Sequence, residues 1–238
     1  MALVDYALDG KVAIVTMKSG ENRFNFPFFE AFSIVLDEIE NKTSASALVI
    51  ASAHEKIWSN GIDLDWLRPS LEKEGPELMR KFLAGMHGLF KRVLSYPMIT
   101  IAAIGGHAFA GGAFLACCCD FRFMRSDRGW FCFPEIDLQM LFSPTLIGIM
   151  KKAVPRYKIE EMQFTGKRLT AQECEAHNIV VKACHINDLM SEVLGFARGF
   201  DKDRETLRGM KNMMYKDIFD IMEEDDRSMA KGEWDVHV

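Results

Sequence analysis

The sequence has no uninterrupted apolar run of about 18 residues, the length that a transmembrane helix requires, so no membrane span is predicted. It also has no basic stripe. The formal net charge of the 238 residues is −5, and the basic pairs Lys151–Lys152 and Lys167–Arg168 are isolated along the chain. Nucleic-acid-binding domains usually gather cations on one face, so this pattern argues against a nucleic-acid partner.

Paired-cysteine motifs are absent as well. The six cysteines show no CxxC spacing and no paired histidines, so we expect no bound metal. Cys117, Cys118 and Cys119 are consecutive, and adjacent residues do not easily meet the geometry of separate disulfides. We therefore expect buried, reduced thiols.

Neither terminus carries a recognisable targeting signal. Residues 1–5 lack a basic segment followed by an apolar one, and residues 235–238 are not a peroxisomal tripeptide. Together with the reduced thiols, this favours the cytoplasm, or the peroxisome if the native terminus differs from this one.

Hydrophobic patterning predicts an α/β fold. The hydrophobic fraction is 49% and the charged fraction is 26%, which suffices for a sizeable core. The predicted strands are 4–8, 11–17, 47–51, 99–104, 121–124, 130–133 and 179–181, with helices from Pro27, over 77–94 and over 113–118, and a loop over 54–67. Because the pattern is mainly helical from Pro144 onward, we predict an α/β core over 1–190 and a C-terminal helical region over 191–238.

Two glycine-containing segments follow predicted strands. The first is 56–64, Lys-Ile-Trp-Ser-Asn-Gly-Ile-Asp-Leu, and the second is 105–116, in which Gly111-Gly112 precedes a helix. The second segment lacks the lysine of a phosphate-binding P-loop and the spacing of a GxGxxG fingerprint. Glycine here more plausibly lets backbone N–H groups approach a ligand, and the helix N-terminus adds a positive dipole end.

A third segment, 131–136, carries a carboxylate among apolar neighbours. Glu135 follows Pro134 and lies between aromatic and aliphatic residues. Burial there would raise the pKa of its carboxyl group into the range that suits proton transfer, although a surface glutamate after a proline turn is the alternative. Asp137 is a weaker candidate for the same role.

In this order, the three segments resemble the crotonase (enoyl-CoA hydratase/isomerase) family over most of the chain. The resemblance implies a spiral of ββα units with a C-terminal helical region, assembled as a homotrimer or a dimer of trimers. It implies an acyl-CoA substrate, no membrane or nucleic-acid partner, and no cofactor, since coenzyme A is part of the substrate.

The resemblance also implies roles for individual residues. The backbone N–H groups of Ile62 and Gly111 would form an oxyanion hole, and Glu135 would be the catalytic base. Hydratases of the family carry a second glutamate where this chain has Phe114, so the pattern is most similar to that of Δ3,Δ2-enoyl-CoA isomerases. The expected substrate-binding residues are Ser59, Asn60, Gly61, Asp63, Leu64, Phe114 and Pro134.

Other interpretations stay open. The chain could catalyse hydrolysis, decarboxylation or weak hydration of a CoA thioester, or it could be a non-catalytic acyl-CoA-binding homologue. For Asp63 and His107 we also expect structural roles. Four methionines are expected to pack the terminal helices or to lie in a subunit interface: Met210, Met213, Met214 and Met222.

Overall fold

The computed structural model describes residues 2–231. A six-stranded sheet has the order β1-β2-β4-β7-β9-β11, in which β1 is antiparallel to β2 and the later neighbours are parallel. The strands are β1 Val4–Asp9, β2 Val12–Met17, β3 Arg23–Phe24, β4 Ala47–Ser52, β5 Ile57–Ser59, β6 Gly61–Ile62, β7 Ile99–Ile104, β8 His107–Phe109, β9 Phe121–Arg125, β10 Phe131–Cys132 and β11 Lys182–Cys184.

Two smaller sheets lie beside the large one. Strands β10, β8 and β5 form a parallel three-stranded sheet, and β3 pairs with β6. Three times the chain passes from a strand of the large sheet to the next strand in sequence in the three-stranded sheet: from β4 to β5, from β7 to β8 and from β9 to β10. A helix or a helical turn then leads back, so the chain winds as a spiral of strand–strand–helix units.

Helices cover the sheets and make up most of the C-terminal part. They are α1 Phe26–Lys42, α2 Leu64–Glu74, α3 Pro76–Leu94, α4 Gly111–Cys118, α5 Pro144–Ala153, α6 Arg156–Thr165, α7 Ala171–Ala176, α8 Ile186–Ala197, α9 Arg204–Met214 and α10 Lys216–Lys231. Helix α10 packs on α3 and α5. Two carboxylates of α10 bind to these helices: Asp226 lies 2.7 Å from His87 Nδ1, and Asp225 accepts the Thr145 N–H at 2.9 Å.

Several predicted elements are confirmed. The predicted strands 4–8 and 11–17 pair as a hairpin, which turns at Gly10, whose φ of +59° suits glycine. Helix α3 matches the predicted 77–94 within one residue, and its predicted apolar face is buried. Helix α4 is entirely buried, and all six cysteines are free and buried.

Other predictions were wrong in position. The strand predicted at 179–181 is Lys182–Cys184, because the N–H groups of Ile179 and Val180 both bond to the carbonyl of Cys174 and close the end of α7. The predicted loop 54–67 contains β5, β6 and the start of α2. Strands of two or three residues are too short to show a period of two.

The C-terminal region also differs from expectation. The predicted boundary between 190 and 191 falls inside α8, which packs against the large sheet, and residues 232–238 lie outside the described residues, so the division stays a prediction. Met222 is buried as expected, but Met210, Met213 and Met214 are 64%, 83% and 78% exposed. Helix α9 instead packs through Lys211, whose ammonium donates to Asp120 and to the Met98 carbonyl.

Candidate active site

A cleft of about 340 Å³ opens at one edge of the three-stranded sheet. It is lined by Arg23, Asn60, Ile62, Leu64, Asp65, Phe109, Ala110, Pro134, Glu135, Leu138 and Met140. Asn60 follows β5, Ala110 follows β8, and Pro134 lies just beyond β10. Because parallel strands end at the same edge of a sheet, the three segments singled out from the sequence meet in one place.

The two glycine loops touch backbone to backbone. A Cβ atom on Gly61 would lie 2.5 Å from the backbone nitrogen of Gly111, and Gly61 has a φ of +72°. A Cβ atom on Gly111 would lie 2.8 Å from the Phe24 ring. Only glycine fits both positions, and the peptides of the two loops are therefore neighbours at the cleft.

Helix α4 begins at this contact. No side chain caps its N-terminus, and the N–H groups of a first helical turn have no acceptor within the helix. The preceding residue, Ala110, has a φ of +50°, which is strained for a residue with a Cβ atom. Its N–H donates to the Cys132 carbonyl at 3.1 Å, and this bond to β10 helps to hold the strained turn.

Neighbouring backbone bonds hold Ile62 at the cleft. The N–H groups of Asn60 and Asp63 donate to the carbonyls of Glu21 and Phe24, and β6 pairs with β3. Ile62 lies between these bonds and lines the cleft.

Two predicted substrate-binding residues, Ser59 and Asp63, use their side chains to shape the first glycine loop. Ser59 is fully buried; its hydroxyl donates to the Asn22 carbonyl at 2.7 Å and accepts the Gly61 N–H at 3.2 Å. The Asp63 carboxylate accepts the Trp66 N–H as the N-cap of α2 and accepts the amide of Asn25. Neither side chain is among the residues that line the cleft, so their predicted contact with substrate stays a prediction. The structural role also expected for Asp63 is confirmed by its bond to the Trp66 N–H.

Glu135 is the buried carboxylate of the cleft. It sits in a single 3₁₀ turn, Pro134–Ile136, and is 7% exposed. None of the described residues gives its Oε2 atom a hydrogen-bond partner. Burial raises the pKa of this carboxyl group to about 8, although its own backbone N–H opposes the shift. A side chain with these properties can both take up and release a proton near neutral pH.

Phe114 is not among the residues that line the cleft, and its predicted contact with substrate stays a prediction. It is 1% exposed, and its ring lies 4.7 Å from the ring of Phe133 and 5.7 Å from that of Phe142. An apolar ring gains more from this aromatic cluster than from an open surface.

Sequence reasoning missed several lining residues. Arg23 lies between Asn22 and Asn25 in the sequence and contacts the carboxylates of Glu21 and Asp65 at 2.7 Å and 2.5 Å. Leu138 and Met140 follow the base in a stretch without helical or strand period. Their apolar character in an aperiodic stretch was the one feature of the sequence that could have identified them as cleft residues.

His107 lies outside the cleft, at the opposite end of the three-stranded sheet. It lines a second pocket together with Lys56, Arg128 and Trp130. Burial lowers the pKa of its imidazole, with smaller contributions from Arg168 and Arg128.

A family model described as enoyl-CoA hydratase/isomerase matches residues 8–230. The chain belongs to this family. It is 30% identical to "Enoyl-CoA delta isomerase 3" of Arabidopsis thaliana over 169 residues, which are 69% of this chain and 69% of that protein. It is also 30% identical to "Putative enoyl-CoA hydratase" of Thermus thermophilus over 209 residues, which are 86% of this chain and 81% of that protein.

The fold agrees with this membership. A crystal structure of an enoyl-CoA hydratase/isomerase family protein from Pseudomonas syringae superimposes with a TM-score of 0.84 at 24% identity, covering 95% of this chain and 98% of that chain. The expected α/β spiral with C-terminal helices is thereby confirmed. No helix within residues 2–231 is long and apolar enough to cross a membrane.

Proposed function

We propose that this enzyme of the family moves the double bond of a 3-enoyl-CoA to the 2-trans position. The observation that carries the proposal is the buried Glu135 carboxyl group, whose Oε2 atom has no partner among the described residues and whose pKa is raised to about 8. Phe114, where a hydratase would need its second carboxylate, supports isomerisation over hydration.

The reaction needs one base. Glu135 removes a proton from C2, and the electrons of that C–H bond move into the thioester to form a dienolate. The resulting carboxylic acid then delivers the proton to C4, the C2–C3 double bond forms, and the carbonyl is restored. Glu135 ends as the carboxylate with which it began, so no external acid, base or redox partner is consumed.

The thioester oxygen carries the negative charge of the dienolate. In the proposed complex, the N–H groups of Ile62 and Gly111 donate to it. The contact between the two glycine loops and the uncapped start of α4 support this arrangement. A preorganised donor of this kind contributes about 2.7–4 kcal/mol to transition-state stabilisation.

The rest of the cleft suits a CoA thioester. Arg23 is the cation among the lining residues, and a guanidinium is well matched to phosphate oxygens. Its partner Asp65 is largely exposed, so a phosphate would compete with a solvated ion pair there. Asn60, Leu64 and Pro134 line the walls, as expected for substrate contacts. Coenzyme A belongs to the substrate, and we propose that the enzyme uses no further cofactor.

An absorbance assay tests this function. Purified protein is mixed with 3-hexenoyl-CoA, and the ultraviolet absorbance of the conjugated 2-enoyl thioester is recorded. We expect conversion by the wild type and almost none by Glu135→Gln. No conversion by the wild type, or equal conversion by the variant, would refute the assignment.

Hydration of a 2-enoyl-CoA is the second candidate, because relatives of similar identity carry the name hydratase. Phe114 argues against it, since a phenyl ring can neither orient nor deprotonate water. Loss of the conjugated absorbance from 2-hexenoyl-CoA measures this reaction directly, and we expect it to be very slow.

Assembly and compartment complete the proposal. We propose a homotrimer or a dimer of trimers, and the exposed face of Met210, Met213 and Met214 on α9 is a suitable contact surface. A mass measurement in solution tests this directly. We place the enzyme in the cytoplasm, or in the peroxisome if the native terminus carries an address; a relative from Arabidopsis thaliana is named peroxisomal.

A further inference from the structure

Immediately after the base, an apolar stretch of chain faces solvent. Ile136, Leu138 and Leu141 are 48%, 49% and 79% exposed, and Met140 is half-buried. We call these four residues the apolar rim. Leu138 and Met140 also line the cleft, so the rim continues its wall outward. Asp137 and Gln139 alternate with these residues and are exposed as well. Exposed apolar side chains beside a binding cleft are typical of a ligand contact.

The rim is tied to the base by the backbone. The N–H groups of Leu138 and Met140 both donate to the Glu135 carbonyl, at 3.1 Å and 2.9 Å. Gln139, between them, has a φ of +57°, which turns the chain back on itself. The rim therefore has a fixed position relative to the carboxylate that would handle the proton.

Packed aromatic rings fill the interior on the Phe133 side of Glu135. Phe133, two residues before Glu135, packs against Phe114, and both rings contact Phe142, which follows the rim directly. Phe114 and Phe133 are almost completely buried. A chain that entered here would have to displace closely packed rings, which costs several kcal/mol in a typical core.

We propose that the apolar rim binds the acyl carbons beyond the reacting double bond, so that the enzyme favours medium and long acyl chains lying along its surface. This inference rests on the proposed function for the identity of the ligand. In the proposed complex, the charged CoA moiety contacts Arg23 at the cleft, and the apolar acyl chain contacts the rim. Only the acyl chain combines an apolar surface with attachment to the reacting carbons.

Saturated thioesters test the rim without turnover. Binding of hexanoyl-CoA and decanoyl-CoA is measured by titration calorimetry. Complete burial of one methylene gives about a fourfold gain in affinity, so partial burial of four should make decanoyl-CoA bind about tenfold more tightly. In the double variant Leu138→Ser, Leu141→Ser, we expect this ratio to fall about tenfold.

The matched control is Leu8→Ser, since Leu8 is 51% exposed on β1 and away from the cleft. It should leave the ratio of the two affinities as it is in the wild type. The same ratio measured for kcat/KM on 3-hexenoyl-CoA and 3-decenoyl-CoA should fall in the double variant and not in the control.

Three results would overturn the inference: a wild-type ratio near one, an unchanged ratio in the double variant, or a loss that appears only together with a change in solution mass. A loss that accompanies a change in solution mass would show that the rim is a contact between copies of the chain. Failure of the proposed function looks different, because the binding ratio would hold while neither 3-enoyl-CoA is converted.

Discussion

The two ends of the three-stranded sheet invite comparison. Each holds a titratable side chain with a buried, unpartnered atom among the described residues: Oε2 of Glu135 at the carboxyl end and Nδ1 of His107 at the amino end. Burial favours the neutral form of both groups, so it raises the pKa of the carboxyl group and lowers the pKa of the imidazole. A perturbed pKa alone therefore does not identify the active end.

Backbone geometry separates the two ends. Glycines bring backbone segments together at both ends, Gly61 with Gly111 at the carboxyl end and Gly106 with Gly129 at the amino end, but the first pair lies beside the uncapped start of α4. Fixed N–H donors can stabilise a dienolate at the place where it forms. This contrast supports the proposal that the reaction takes place at the carboxyl end of the sheet.

The largest effect should come from removing the base. Glu135→Gln is expected to lower kcat for 3-hexenoyl-CoA by about 10²–10⁴-fold, the usual contribution of a positioned base. His107→Gln, at the other end of the sheet, should change kcat by less than about twofold, because no step of the reaction involves the imidazole. Comparable losses in both variants would contradict the assignment of the active end.

A slightly smaller loss should follow from separating the glycine loops. Gly61→Ala places a methyl group against the Gly111 nitrogen, so kcat should fall by about 10²–10³-fold as donor geometry is lost. The control is Gly10→Ala, which has a similar φ of +59° and nothing within 4 Å of the added carbon. Only stability should change in the control, by about 1 kcal/mol, as followed by urea unfolding.

The pH profile should show the raised pKa of Glu135. The base must be ionised, so kcat/KM in the wild type should rise with pH and level off above a pKa of about 8. Initial rates between pH 6 and pH 9.5 (roughly the range that brackets this value) test it. A plateau already reached near the ordinary glutamate pKa would show that the carboxyl group is not desolvated in the free enzyme.

The same shift has a consequence for stability. The folded carboxyl group holds its proton up to about pH 8, whereas an unfolded glutamate releases it near its ordinary value of 4.5. The folded state therefore binds more protons between these values, and its stability falls as pH rises through that window. The amide of Glu135→Gln does not titrate, so the stability of the variant should not fall through this window. Urea unfolding should therefore show the variant to be more stable than the wild type at pH 9, by on the order of 2–4 kcal/mol, and by a smaller margin at pH 5.

The smallest effect is expected at the mouth of the cleft. Arg23→Gln should raise KM for CoA thioesters by about five- to tenfold with little change in kcat, because a partly exposed charge–phosphate contact contributes on the order of 1 kcal/mol. Arg128→Gln, the matched change at the amino end, should leave KM unaltered. The KM values of the two variants, measured at constant ionic strength, show which of the two pockets binds the CoA thioester.

The sequence was sufficient for the long and strongly patterned features. The β1–β2 hairpin, helix α3, the glycine loops and the proline-linked Glu135 could be predicted, since each depends on local periodicity or on a residue with special backbone properties. The pKa shift of Glu135 was also predicted in direction, because its sequence neighbours are apolar.

Other features depend on contacts between distant segments. The partner of the Ser59 hydroxyl is the carbonyl of Asn22, which lies in a distant part of the sequence. Phe114 joins an aromatic cluster with two residues from later segments. Residue type and spacing do not reveal which partner a side chain will find, and for the same reason Leu138 and Met140 were missed.

The most direct test compares two reactions on one preparation of the wild-type protein. Isomerisation of 3-hexenoyl-CoA and hydration of 2-hexenoyl-CoA are followed at the same enzyme concentration through the absorbance of the conjugated thioester. With Glu135 as the one buried carboxylate among the residues that line the cleft and Phe114 in the aromatic cluster, isomerisation should be faster than hydration by at least about 10²-fold, the contribution expected of a second acid–base group. Hydration as fast as isomerisation, or faster, would contradict the single-carboxylate account.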